Sequence, residues 1–261
     1  MFYKLSTQQL KEVLPFFKSK PKFALFANAA TFEIEKRLPS HPCDFYCLEV
    51  NDSKYFYVFR HDFIPDTCRP ILMIGSDQSV NENDVIYGLE QIKSVEPDLG
   101  NIELLVATSA LSALGRKFFI DHFKRSEDYN VACNNFCLPS SAQAEIQKNI
   151  DGMTLPSDFS IGSTRFSDSE IVNSTWKFAT PETILQTKEI IQRLPTSCIH
   201  HKDKPVAFEM IGLHGQEGIQ VVKSIELANV EVLKRSRSHP LWEIVTDDNG
   251  DELVFDYTHY H

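Results

Sequence analysis

Histidine, cysteine and isolated acidic residues are the first side chains to weigh for chemistry. His200 stands beside His201, and His259 and His261 form an HxH pair near the C-terminus. Imidazoles so placed could hold a metal ion, but a site needs a third ligand and hydrogen-bonded support behind each ligand, which neither pair brings. Cys43 with Cys47 and Cys133 with Cys137 make two CxxxC pairs that could in principle join as a zinc centre. That spacing is poor outside a helix, so buried, reduced thiols in an intracellular compartment are the plainer expectation, and no metal site is expected. Glu209 lies in the apolar run PVAFEMIGL. A carboxylate there either faces out of a strand or is buried with a partner and a function. The run KRSRSH at 234–239 is basic enough for phosphate, although Lys and Arg near a helix end are ordinary dipole partners. The absence of GxSxG, P-loop and HExxH motifs removes the main hydrolase, nucleotide-binding and zinc-protease readings.

The whole chain bounds the choice further. Its 261 residues suffice for one large or two small domains with cores of their own, and two are expected. Hydrophobic content of 42% and charged content of 24% are those of an ordinary globular fold. A formal charge of −10 and a pI near 5.4 argue against a nucleic-acid footprint, which needs a basic face. A small molecule or a protein is the expected partner. No apolar run reaches the length of a membrane span, so no membrane contact is expected. The N-terminal stretch has neither the apolar region nor the cleavage site of a secretion signal, and it reads as a helix capped at Ser6 or Thr7.

Elements able to position a site follow from hydrophobic periodicity. Leu10, Val13, Leu14 and Phe17 predict an amphipathic helix over 6–18. KFALFA, DFYCLEV, YFYVFR and PILMIG read as strands, NENDVIYGLEQIKSV as a helix, IELLVAT as a strand and SALSALGRKFFIDHF as a helix. Residues 138–163 concentrate Pro, Ser, Gly and Asp and predict a boundary between domains at 1–145 and 151–261. FSIGS then reads as a strand, with a helix from about Ser167 or Asp168. TPETILQTKEIIQRL predicts a further helix with Thr180 as N-cap and Pro181 in its first position. SCIHH and PVAFEMIGL read as strands, GIQVVKSI as a strand that HGQEG turns back against PVAFEMIGL, and ANVEVLKRS as a helix. LWEIVTD and ELVFDYT predict a terminal hairpin around DDNG.

The second half resembles a known family. Its element order looks like a GCN5-related N-acetyltransferase domain, and DSEIVNSTWKFATPETILQTKEIIQRLPTSCIHHKDKPVAFEMIGLHGQ resembles the glycine N-acyltransferase family. Asn173, Trp176, Phe178, Pro195, Thr196, Cys198, Pro205 and Gly215 fall at that family's spacing. The first half is similar mainly in length and strand order. The resemblance implies an α/β (α+β) class with tandem acetyltransferase-like domains, their mixed and mainly antiparallel sheets flanked by helices. It also implies acyl-CoA as co-substrate with no bound cofactor, glycine or a similar small amine as acceptor, and a mitochondrial or cytoplasmic location.

Acyl transfer from a thioester to an amine needs a base for the amine proton, typically worth about 10²- to 10⁴-fold in rate. The coenzyme A diphosphate needs N–H donors at a helix N-terminus. Against the family's pattern, no loop of that kind follows Gly215. Residues 218–234 match the strand and helix that come after it, which implies loss of a strand, loop and helix on the order of 25 residues or more. At the family's base position stands Gln216, whose amide cannot accept the proton. Glu217 is one residue on, and in a strand that shift reverses the side chain's face. Asn229 matches a residue facing the coenzyme, or caps a helix. Asn173 could position substrate or cap a turn, and Trp176 could line an acyl pocket or belong to the core. An N-acyltransferase is therefore expected, the alternative being a catalytically impaired binding protein or a truncated splice form.

Overall fold

The computed structural model describes residues 1–64, 70–134, 136–137, 144–145, 148, 154–176, 179–212, 217–222, 243–247 and 249–260, with the backbone path alone for 136–137, 217–222 and 243. The chain divides into two units, Met1–Asn135 with Thr246–His261, and Phe136–Val245. Each combines a sheet with helices, so the mixed α/β class expected from the sequence holds.

The first unit runs β1 (Phe2–Lys4), α1 (Thr7–Ser19), a 3₁₀ turn (Pro21–Phe23), α2 (Ala24–Ile34), β2 (Cys43–Val50), β3 (Ser53–Arg60), β4 (Ile71–Ser76) and α3 (Glu82–Val95). A second 3₁₀ turn (Pro97–Asn101), β5 (Leu104–Thr108), α4 (Ser109–Phe123) and β6 (Tyr129–Asn134) follow. Its seven-stranded sheet has the order β1-β2-β3-β4-β5-β13-β6, where β13 is Val254–His259. The pairing is antiparallel except between β4 and β5.

Alternation along β3 shows why helices cover both faces. Phe56 meets the rings of Phe17 and Phe23 edge-on, at 4.9 and 5.5 Å. Its neighbour Tyr57 points the other way and donates its hydroxyl to the Val85 carbonyl of α3 at 3.2 Å. Val85, Leu89 and Ile92 of α3 and Leu111, Phe118 and Phe119 of α4 bury their apolar stripes on that second face. Helix starts follow the expected chemistry. The Ser6 hydroxyl and the Gln9 side chain cap each other's backbone N–H groups at the start of α1.

Three features of this unit differ from the sequence expectation. KFALFA is not a strand but the entry to α2. Leu25, Phe26, Ala27, Ala29 and Ala30 are all buried, so the segment shows no helical period, while its alanines favour the helix. Strands β1 and β6 had no signal strong enough to predict. The predicted terminal hairpin is also corrected. Among the described residues the turn closes with the bridge Thr246↔Glu252 and a backbone bond from Asp247 to Asp251, but β13 beyond it inserts between β5 and β6, which places the chain's end in the first unit and not with residues 151–245.

The second unit contains β7 (Phe136–Cys137), β8 (Phe159–Gly162), a 3₁₀ turn (Phe166–Asp168), α5 (Ser169–Asn173), α6 (Thr183–Arg193), β9 (Thr196–His201), β10 (Lys204–Ile211), β11 (Glu217–Val222) and β12 (Glu243–Ile244). Four strands form an antiparallel sheet in the order β11-β10-β9-β8, and β7 pairs with β12. Lys202 and Asp203, both at positive φ, make the tight turn between β9 and β10. The order strand, helix, helix and three antiparallel strands repeats that of β1 through β4, with the same neighbour relations in the sheet. Half of the predicted linker at 138–163 and the whole of the predicted helix at 228–236 lie outside the described residues.

Candidate functional site

In the second unit, the described candidates cluster where α5 and α6 cover the sheet. Asn173 ends α5 and is buried. Its Oδ1 accepts hydrogen bonds from the hydroxyls of Thr183 at 3.0 Å and Thr187 at 2.9 Å, and its Nδ2 donates to the Thr180 carbonyl at 3.3 Å. All of this bonding runs to α6 and its approach. The Thr180 hydroxyl accepts from the Thr183 N–H at 3.3 Å, and the Thr183 hydroxyl accepts from the Thr180 N–H at 2.9 Å. The two threonines thus close the turn ahead of α6, which begins at Thr183 with Glu182 as its N-cap, later than the Thr180 N-cap and Pro181 first position expected from the sequence. Trp176 stands at the turn after α5, 37% exposed, its N–H bonded to the Asn173 carbonyl.

A second polar group lies beneath the same helices. Cys198 and His200 alternate along β9 onto its buried face, and Asp168 reaches them from the 3₁₀ turn before α5. His200 Nε2 lies 3.0 Å from Asp168 Oδ2 and 3.5 Å from Cys198 Sγ. A nucleophile, base and orienting acid use the two different ring nitrogens in turn. Here one nitrogen faces both partners, so the three residues do not form a catalytic triad. Burial, with Asp168 nearby, pushes the Cys198 thiol up to about 11, which keeps it from acting as a thiolate nucleophile at neutral pH. The CIH alternation was the signal that could have found this pair; nothing in the sequence marked Asp168 as its partner.

Strands β10 and β11 pair with one irregularity. The ladder pairs Met210 with Ile219 and then Ile211 with Glu217, so a bulge at Gly218 changes the register by one residue. Glu217 sits directly beyond that bulge, opposite Ile211. Gln216, Asn229, Phe178 and the basic run at 234–239 lie outside the described residues. Glu209 is half-buried in β10, in register with Ser197 and Gln220. His201 stacks on Phe159 at 4.5 Å, and His259 on Tyr129 at 4.2 Å.

The first unit offers a different opening. Strands β4 and β5 pair in parallel from Ile71↔Leu104 to Ile74↔Ala107, after which Gly75 and Ser76 continue against β3 alone and Thr108 pairs with β13. Carboxyl ends of parallel strands, each running into a helix, are a common ligand position. The start of α3 is ill suited to a diphosphate. Asn81 already accepts from the Asp84 N–H, and Glu82 and Asp84 place negative charge in the first turn. On one side, Phe23 and Phe26 press so close to Gly75 that an added Cβ would meet them at 2.8 and 2.9 Å.

The chain matches no family model and no curated protein. Among solved structures it is similar to a Drosophila protein known from X-ray crystallography, with 12% identity and a TM-score of 0.66 over 100% of this chain and 98% of that one. At that identity the likeness shows a shared fold. More distant are a GCN5-related N-acetyltransferase-like protein from Streptococcus suis (TM-score 0.44, 11% identity, 97% of this chain and 99% of that one) and a GCN5-related N-acetyltransferase from Kribbella flavida (0.40, 9%, 89% and 95%). Those two are too distant to bear on activity.

Proposed function

We propose that the protein is an acyl-CoA-dependent N-acyltransferase by descent, moving an acyl group from a coenzyme A thioester to the amine of glycine or a similar small acceptor. The observation that carries this reading is the repeat within the chain. The segment that resembles the glycine N-acyltransferase family folds as α5, α6, β9 and β10, and with β8 before it and β11 after it follows the element and sheet order of β1 through β4. A tandem pair of acetyltransferase-like domains has that repeat as its consequence. A mitochondrial or cytoplasmic location belongs to the same reading.

Turnover asks more than descent. The amine must lose a proton, and the family's base position holds Gln216, an amide. Glu217, beside the bulge in β11, is the carboxylate nearest in sequence. An amide at the base position supports a second reading, in which the chain binds a metabolite or partner without catalysing transfer. Calorimetric titration of the full chain with benzoyl-CoA, followed by a glycine acylation assay, separates the two. Micromolar binding with turnover supports the enzyme, and no heat at millimolar ligand sinks it. Gln216→Glu is expected to raise the rate by about 10²-fold or more if only the base was lost; an unchanged rate would count against position 216.

A further inference from the structure

We propose that Asp44, His61 and Glu96 of the first unit form a binding site for a divalent transition-metal ion such as Zn²⁺. The proposal is independent of the acyltransferase reading and stands or falls separately. The three residues come from different elements: Asp44 is the second residue of β2, His61 follows the end of β3, and Glu96 is the C-cap of α3. Their spacing in sequence carries no motif. The fold alone brings them together, whereas His201 and His259 stack on aromatic rings and His200 faces Asp168.

His61 Nε2 lies 3.3 Å from Asp44 Oδ2 and 3.9 Å from Glu96 Oε2, and one ligand atom from each residue falls within 4.8 Å of the others. Ligands about 2.1 Å from one tetrahedral Zn²⁺ stand roughly 3.4 Å from each other. Side-chain torsions alone can close the remaining difference. One imidazole and two carboxylates suit a first-row divalent ion, leaving positions open for water. Asp44 and His61 keep 28% and 21% of their side chains exposed, so an ion has a route in.

Two further observations point to a ligand. Glu96 is only 4% exposed, and its Oε1 accepts the hydroxyl of the equally buried Tyr46. Its Oε2 makes no hydrogen bond among the described residues and is turned toward His61. A hydrogen bond behind a ligating carboxylate is the support that metal sites use to fix their ligands. The His61 ring is likewise held, edge-on to Phe59 at 5.0 Å and stacked on Phe63 at 5.6 Å. Charge gives the second pointer. Two carboxylates face a single imidazole, and Lys4 lies against them with its Nζ 2.5 Å from Asp44 Oδ2. Lys4 is 54% exposed and can swing into solvent, leaving its place to an ion.

The test is Zn²⁺ titration calorimetry on the full chain after dialysis against a chelator, with circular dichroism to confirm folding of each variant. Wild type is expected to bind one equivalent at this site. His61→Ala and Glu96→Gln should each weaken that binding at least 10-fold, and Tyr46→Phe by about 10-fold. Lys4→Met, at an exposed side chain, should tighten it, because the competing cation is gone. That opposite sign keeps the test decisive even if a ligand variant fails to fold. No uptake at 100-fold excess Zn²⁺, or binding that is the same in wild type, His61→Ala and Lys4→Met, overturns the proposal.

Discussion

Asn173 Oδ1 receives the hydroxyl of Thr187 at 2.9 Å, a bond that spans 14 residues and fastens the end of α5 to the second turn of α6. Thr183 donates to the same oxygen but also reaches the Thr180 carbonyl at 2.9 Å, so removing the amide would strand the buried Thr187 hydroxyl. A buried polar group left without its partner costs about 1 to 3 kcal/mol. Asn173→Ala is therefore expected to lower the stability of the chain by roughly 1 to 3 kcal/mol, read from the urea midpoint at an unchanged slope. Asn173→Asp, which keeps the acceptors, should lose less. A substrate-binding role would leave both midpoints near wild type and raise only KM.

Gly88 marks a contact of another kind. It lies in α3 directly over Tyr57, and an added Cβ would stand 2.0 Å from the Tyr57 hydroxyl and 2.4 Å from its Cζ. Alanine would favour the helix by about 1 kcal/mol. Overpacking a filled core costs typically 1 to 3 kcal/mol, and here the hydroxyl would also lose its bond to the Val85 carbonyl. Gly88→Ala should thus destabilise by about 2 kcal/mol or more in thermal or urea unfolding. A gain in stability would show that the ring has room to move.

Acid should weaken the first unit through His41. The ring is 2% exposed, and burial, with the Arg60 guanidinium beside it, pushes the imidazole from 6.5 down to about 3. Asp62 Oδ1 stands 3.5 Å from its Nε2. Below pH 6.5 the unfolded chain takes up a proton that the folded chain refuses until about pH 3. Stability therefore falls as pH drops through that window, by up to about 1.4 kcal/mol per pH unit from this residue. Comparing wild type with His41→Asn between pH 7 and pH 4 should give a flatter curve for the variant; parallel curves would rule His41 out as the source.

Some of this protein was legible in its residues because the relevant physics is local. Ser6 caps α1, and short aromatic and β-branched runs between turn residues made β2, β3 and β4 visible before any neighbour was known. The turn back of β11 onto β10 followed from two apolar runs flanking HGQEG. KFALFA shows the limit: with most of α2 buried, polar residues could not mark a helical face, and aromatic content suggested a strand.

Pairing partners are decided only in three dimensions, since a strand's own residues do not say which edge it will join. VFDYTH was visible as a strand from its composition, yet its insertion between β5 and β6 depended on the edges those strands left unpaired. The same holds for the polar clusters. Cys198 and His200 were set on one face by their spacing, but Asp168 reached them only through the turn into α5. Asp44, His61 and Glu96 came together because β2, β3 and α3 pack against one another, a relation that no spacing along the chain encodes.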